Sequence, residues 1–175
     1  MGLHVVLYQP EIPQNTGNIM RTCAGTDTTL HLIKPLGFKL DPKYVKRTAV
    51  NYLEHVNYEI YEDYEGFLSK NKGRYVFMTR YGKKSPKDFD FSDTNQEIYL
   101  IFGRESTGLP KEILRDNLDN CLRLPANDKI RSLNLSNTVA IMIYEVLGQQ
   151  DYPGLSKTEP ETLKGSDWLL EETEE

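Results

Sequence analysis

The sequence predicts an α/β domain, a mainly parallel sheet with helices on both faces, and three observations carry that prediction. Short apolar, β-branched and aromatic runs alternate with helix-length segments, the pattern of strands joined by crossover helices. Polar loops rich in Gly or Asn follow three of the strand-like runs, and in open α/β sheets such loops gather at the carboxyl ends of the strands. The last helix-like segment is apolar around most of its circumference, which asks for cover on more than one side.

The first strand is expected at residues 3–8. The loop PEIPQNTGNIMR then opens a helix over 16–26, with Asn15 or Thr16 as its cap and Gly17 permitting close backbone approach. A second strand follows at 30–33, a helix at 42–49, an ambiguous segment at 51–60 read as a short strand, and a helix at 61–69. Further strands are expected at 75–78 and 98–102. The latter stops at Gly103 and passes through a polar loop to Gly108, Leu109 and Pro110, which start a helix over 110–117. A short apolar segment at 121–124 leads through a polar loop into the apolar helix 133–149. Two such loops at strand ends imply one ligand pocket.

A chain of 175 residues builds one good core. The expected organisation is one domain over residues 1–155 and an acidic tail over 156–175. The formal charge of −5 misleads, because residues 159–175 hold seven acids against one lysine while the first 158 hold 20 bases against 19 acids. Overall acidity therefore does not exclude an RNA partner. In the tail, Trp168, Leu169 and Leu170 either fray into solvent or dock on the domain or a neighbouring subunit. The opening MGLHVVLYQ shows no basic leader and no apolar run spans a bilayer, so a cytoplasmic protein without a membrane partner is expected.

Cys23 and Cys121 are expected to be reduced and buried, and His4, His31 and His55 to be structural; none stands at ligand spacing, so no metal site is expected. There is no G-x-G-x-x-G after the first strand and no nucleophile elbow. Gly103 and Gly108 have the spacing of a P-loop, but Leu109 and Pro110 stand where Lys and Ser/Thr are needed. Taken alone, Asn15 reads as a helix cap and Arg21 as a surface charge. The apolar final helix points to burial by a second subunit.

Three segments, NTGNIMRTCA, IFGRESTGLP and LRLPANDKIRSLNLSNTVAIMIYE, resemble in order and spacing the motifs of the SPOUT-class RNA 2′-O-methyltransferases. The opening VVLYQPEIPQNTGNI resembles the TrmL subfamily, which methylates the wobble nucleotide of certain leucine tRNAs. The resemblance covers residues 3 to about 155. It implies a C-terminal trefoil knot, which topology rules alone would reject, together with a homodimer and S-adenosylmethionine as methyl donor.

By the same resemblance, Met78, Gly103, Leu124 and Ser132 would hold the donor, with Leu133 close by. Arg21 would be the catalytic residue. A guanidinium stays charged at neutral pH and is a poor base, so its expected work is to orient a phosphate and stabilise the developing alkoxide. Asn15, Asn18, Arg104 and Tyr144 would face the RNA, and Asn137 would help fix loop geometry. Arg104 departs from a pattern in which proline often follows the glycine, and would either add a phosphate contact or be neutral. Arg80, Lys83, Lys84, Lys87, Lys129 and Arg131 join it as candidate contacts to an anticodon stem. The alternatives are another tRNA or rRNA site, or a noncatalytic RNA-binding module.

Overall fold

In the computed structural model the described residues are 2–40 and 53–171. Among them, six strands form one sheet in the order β3-β2-β1-β5-β4-β6: β1 (Leu3–Tyr8), β2 (Thr29–Ile33), β3 (Tyr58–Tyr61), β4 (Arg74–Met78), β5 (Ile98–Phe102) and β6 (Cys121–Leu122). Every neighbouring pair is parallel, so all strands end at one edge. The helices are α1 (Pro13–Gly25), α2 (Tyr64–Lys70), α3 (Lys111–Arg115) and α4 (Leu135–Gln149).

The period-2 geometry of strands divides the core into two layers. Val5, Leu7, Leu30, Leu100 and Phe102 point to the side of α1 and α4, where Ile19, Met20, Val139, Met142 and Val146 complete one cluster. Val6, Ile33, Phe77 and Ile101 point to the opposite side and pack with Phe67 of α2, and with Ile113 and Leu114 of α3. Helices thus cover both faces, as the alternation of runs predicts. Cys23 and Cys121 are free and buried, and burial pushes the Cys23 thiol up to about 12, leaving it inert.

Several boundaries differ from expectation for local reasons. Helix α1 begins at Pro13, not Thr16, because Pro supplies a preset φ at the first helical position; its flanking residue Ile12 makes no side-chain cap, so Asn15 lies inside the helix and is not its cap. The strand expected over 51–60 is β3, preceded by a 3₁₀ turn at Leu53–His55. Helix α2 starts three residues late because Asp63 caps it, accepting from the Gly66 amide at 2.7 Å. Helix α4 starts at Leu135, with the Asn134 side chain accepting from the amides of Ser136 at 2.9 Å and Asn137 at 3.3 Å. The helix expected over 42–49 lies outside the described residues.

The segment after β4 runs closely around β6. Leu122 lends its carbonyl to the Thr79 amide at 3.0 Å, while the Arg123 amide donates to the Lys84 carbonyl at 2.8 Å. Successive residues of an extended chain bond on opposite edges, so residues 79–84 pass around β6 with both ends attached to it. A Cβ on Gly82 would meet the Leu122 carbonyl carbon at 2.8 Å and the Arg123 nitrogen at 2.9 Å. Only glycine lets the turn cross there. Further on, Phe91 is buried, and its amide and carbonyl bond the side chains of Gln149 and Gln150 at 2.8 and 2.9 Å. These bonds pin the segment to the end of α4.

The histidines in the sheet are not isolated. His4 Nδ1 lies 2.9 Å from His31 Nε2, His31 Nδ1 lies 2.9 Å from the Tyr61 hydroxyl, and His4 Nε2 lies 2.6 Å from Glu97. This buried chain satisfies the polar groups that β1, β2 and β3 place beneath α2. Helix α4 buries Val139, Met142, Ile143, Val146 and Leu147 within the single chain, so one side of it is covered without a partner; Ile141 and Tyr144 stay 46% and 51% exposed on the other. In the tail, Leu169 and Leu170 are exposed and Trp168 is half-exposed beneath the Lys164 ammonium.

Candidate active site

The carboxyl ends of β4, β5 and β6 share an edge, and the loops leaving them enclose a cavity of about 390 Å³. Met78 and Thr79 continue β4 into its wall, Phe102 and Gly103 continue β5, and Leu122 and Leu124 continue β6. Ser132, Leu133 and Asn134 close it from the loop before α4. Apolar side chains such as Met78 and Leu124 in the lining suit a flat ligand whose faces pack on them.

The glycine loop has a backbone geometry no other residue type supports. Arg104 and Gly108 exchange backbone hydrogen bonds at 3.2 and 2.9 Å, and Gly108 adopts φ +72°, the left-handed region where glycine is unstrained. A Cβ on Gly103 would lie 2.2 Å from both the Gly108 carbonyl carbon and the Leu109 nitrogen. The turn therefore folds back directly upon Gly103.

Two carboxylates lock this loop to the one after β1. Glu105 accepts from the amides of Glu11 at 2.9 Å and Ile12 at 3.1 Å, and from Asn15 Nδ2 at 3.3 Å. Glu11 answers by accepting from the Ser106 amide at 2.9 Å and its hydroxyl at 2.8 Å; these bonds hold the Glu11 carboxyl below its ordinary range. Asn15 accepts in turn from Asn134 Nδ2 at 3.1 Å. One buried asparagine thus joins all three motif segments. The Arg104 guanidinium bonds Gln9 and lies 5.2 Å from the Tyr8 ring centroid, while Arg131 donates to the Ser106 carbonyl.

The residues expected from the sequence separate into two groups. Met78, Gly103, Leu124, Ser132, Asn15 and Arg104 all line the cavity, as do Arg80 and Arg131. Lys83 and Lys84 border an adjoining pocket that shares Arg123 and Ala126 with the first. Asn18 and Arg21 sit on the exposed side of α1, Asn137 and Tyr144 on that of α4; none of the four lines the cavity of this chain. Arg21 follows Asn15 by six residues, about 9 Å along the helix axis and a third of a turn away.

Sequence reasoning missed Glu105, Asn134, Arg123 and Tyr81. Asn134 could have been found, because an Asn directly before an apolar periodic run is a helix start signal. Glu105 could not, since its partners lie 90 to 94 residues away. Among the described residues no group of three or more His, Cys, Asp or Glu could hold a metal ion.

The model of the SpoU rRNA Methylase family matches residues 2–144. A relative from Geobacillus stearothermophilus is 54% identical over 157 residues, covering 89% of this chain and 100% of its own. The tRNA (cytidine(34)-2′-O)-methyltransferase of Methylovorus glucosotrophus is 44% identical over 86% of this chain and 97% of its own. A solved structure described under 2-OH methylation of C/U34 on tRNA superposes with a TM-score of 0.79 at 38% identity, covering 85% of this chain and 96% of that one. With its parallel sheet, its three-loop cavity and these matches along nearly the whole domain, the chain belongs to the SpoU rRNA Methylase family.

Proposed function

We propose that this protein transfers a methyl group from S-adenosylmethionine to the ribose 2′-hydroxyl of the wobble nucleotide, position 34, of tRNA. The observation that carries the reading is that Met78, Gly103, Leu124 and Ser132, drawn from three separate chain segments, line one cavity. Relatives named for, or described with, this reaction at position 34 support the target. Cytidine or modified uridine of leucine tRNAs is the substrate the subfamily resemblance implies, and a tRNA substrate implies action in the cytoplasm.

The cavity fits the donor. Its volume lies in the range of small-molecule sites, about 300–1,000 Å³, and the close backbone approach at Gly103 forms part of its wall. The donor supplies an already activated methyl on a sulfonium; as the ribose O–C bond forms and the S–C bond breaks, the hydroxyl proton leaves to solvent or phosphate. What this chain's residues contribute is alignment of oxygen, carbon and sulfur, and stabilisation of the developing alkoxide.

Arg21 is the proposed source of that stabilisation, brought to the cavity of a second subunit. The exposed sides of the neighbouring helices α1 and α4, carrying Asn18, Arg21, Asn137, Ile141 and Tyr144, form the surface proposed to face the partner in a homodimer. The bonds from Thr79 and Lys84 to opposite edges of β6 support the trefoil knot as the device that packs three loops into one pocket.

Purified protein with methyl-labelled donor and total tRNA tests the reading. Label is expected in tRNA and absent from a transcript carrying 2′-deoxyribose at position 34. Equal labelling of the deoxyribose transcript and its all-ribose counterpart would refute it.

A further inference from the structure

The geometry points to Tyr81 as the platform on which the base of the nucleotide undergoing methylation stacks; the assignment rests on the RNA methylation proposed above. Tyr81 is 75% exposed and yet lines the cavity. It stands at the mouth, with its ring in water. Aromatic side chains ordinarily bury large areas, so a ring displayed beside a ligand site invites a flat partner.

The turn that presents the ring is firmly built. The Tyr81 amide donates to Thr79 Oγ1 at 3.2 Å and the Gly82 amide to the Thr79 carbonyl at 3.2 Å. Arg123 donates from its guanidinium to the Arg80 carbonyl at 2.7 Å, and Gly82 sits against the backbone of β6. An exposed side chain on a turn anchored at four points loses little further freedom when a ligand stacks on it.

Charge is placed to match. The Arg80 guanidinium lies 5.3 Å from the Tyr81 ring centroid, covering one face at most. Directly after Tyr81, Gly82, Lys83, Lys84 and Ser85 border the adjoining pocket of about 270 Å³. Single-stranded nucleic acid is held by bases stacked on aromatic rings while cations follow the phosphates. This turn offers both, one residue apart. A ribose reaches the cavity only when its nucleotide leaves the anticodon stack, and a ring at the mouth replaces the stacking that is lost. Ile12 and Leu133, exposed at the same rim, are aliphatic and offer no π-face.

The test compares full-length protein with its Tyr81→Ala, Tyr81→Phe and Tyr81→Trp variants, reading steady-state methylation of tRNA and calorimetric binding of S-adenosylmethionine. Tyr81→Ala should raise KM for tRNA about 5- to 100-fold, the range of losing one stacked base, with donor affinity unchanged and kcat moved less than KM. Phe and Trp keep the π-face and should restore KM to near the parent value. An unchanged KM in Tyr81→Ala would overturn the assignment, as would a Phe variant as impaired as the Ala variant. So would a fall in donor affinity that accounts for the whole defect. Should the parent protein bind the donor and label no tRNA, the methylation reading itself fails, a result distinct from any ranking of the variants.

Discussion

Gly103→Ala places a methyl group where the structure has backbone. The added carbon would stand 2.2 Å from the Gly108 carbonyl carbon, 2.2 Å from the Leu109 nitrogen and 2.6 Å from the Gly108 Cα, against an optimum of about 3.5–4.0 Å for such contacts. None of these neighbours is a flexible side chain, so the two limbs of the turn must part by about 1 Å or more. Parting them strains or breaks the two hydrogen bonds between Arg104 and Gly108, each contributing about 1 kcal/mol, and overpacking adds about 1–3 kcal/mol. The expected destabilisation is about 2–4 kcal/mol, which for a chain of this length lowers Tm by about 5–15 °C. Because the same turn forms a wall of the cavity, S-adenosylmethionine affinity should fall by about tenfold or more, a loss of at least about 1.4 kcal/mol. Thermal denaturation and calorimetric titration read both quantities. A variant with parental Tm and parental affinity would show that the turn does not close on Gly103 and that the cavity wall is elsewhere.

Arg21→Ala should keep donor binding and lose tRNA methylation, since Arg21 does not line the cavity of its own chain; parental turnover would remove it from the mechanism. Mixed dimers joining an Arg21→Ala subunit to one with Gly103→Ala should recover up to one working site if Arg21 acts across the interface, and none if it acts within its own chain. For His31, burial first and then the neighbouring His4 push the imidazole down to about 4, against the opposing pull of Glu59. A folded-state value below the ordinary 6.5 means that the unfolded chain binds the proton more readily. The stability held above pH 6.5 is therefore lost as pH falls toward 4. Tm measured from pH 7.5 to 4.5 should drop more steeply for the parent than for His31→Gln, and equal slopes would contradict the assignment. Tyr144→Asp, which puts a charge on the exposed strip of α4, should convert a dimeric mass in solution to a monomeric one; a parent already monomeric at micromolar concentration would refute the proposed interface.

Much of the fold was legible because strand periodicity reports which face is buried. The alternation in Leu3–Tyr8 and Ile98–Phe102 survives intact in the two core layers. Boundaries were less legible where a cap or proline competes with hydrophobic pattern, as at Pro13, Asp63 and Asn134. The near-uniform apolarity of α4 pointed to cover by a second subunit; within the single chain one side of the helix is buried, and Ile141 and Tyr144 stay exposed on the other. That Met78, Gly103, Leu124 and Ser132 meet in one cavity followed only from resemblance. Met78 and Leu124 are ordinary core types, and nothing in their chemistry separates a residue that lines a pocket from one that fills a core. The clamp through Glu105 and Asn15, and the passage of residues 79–84 around β6, depend on contacts between distant segments that no local pattern encodes.

Nucleotide-resolution mass spectrometry of tRNA from cells with and without the gene reads the methylated ribose itself. A 2′-O-methyl group is expected at position 34 in a subset of tRNAs, leucine isoacceptors among them, which disappears when the gene is removed and returns with the intact chain. Unaltered methylation at position 34, with a loss at another tRNA or ribosomal site, would contradict this expectation.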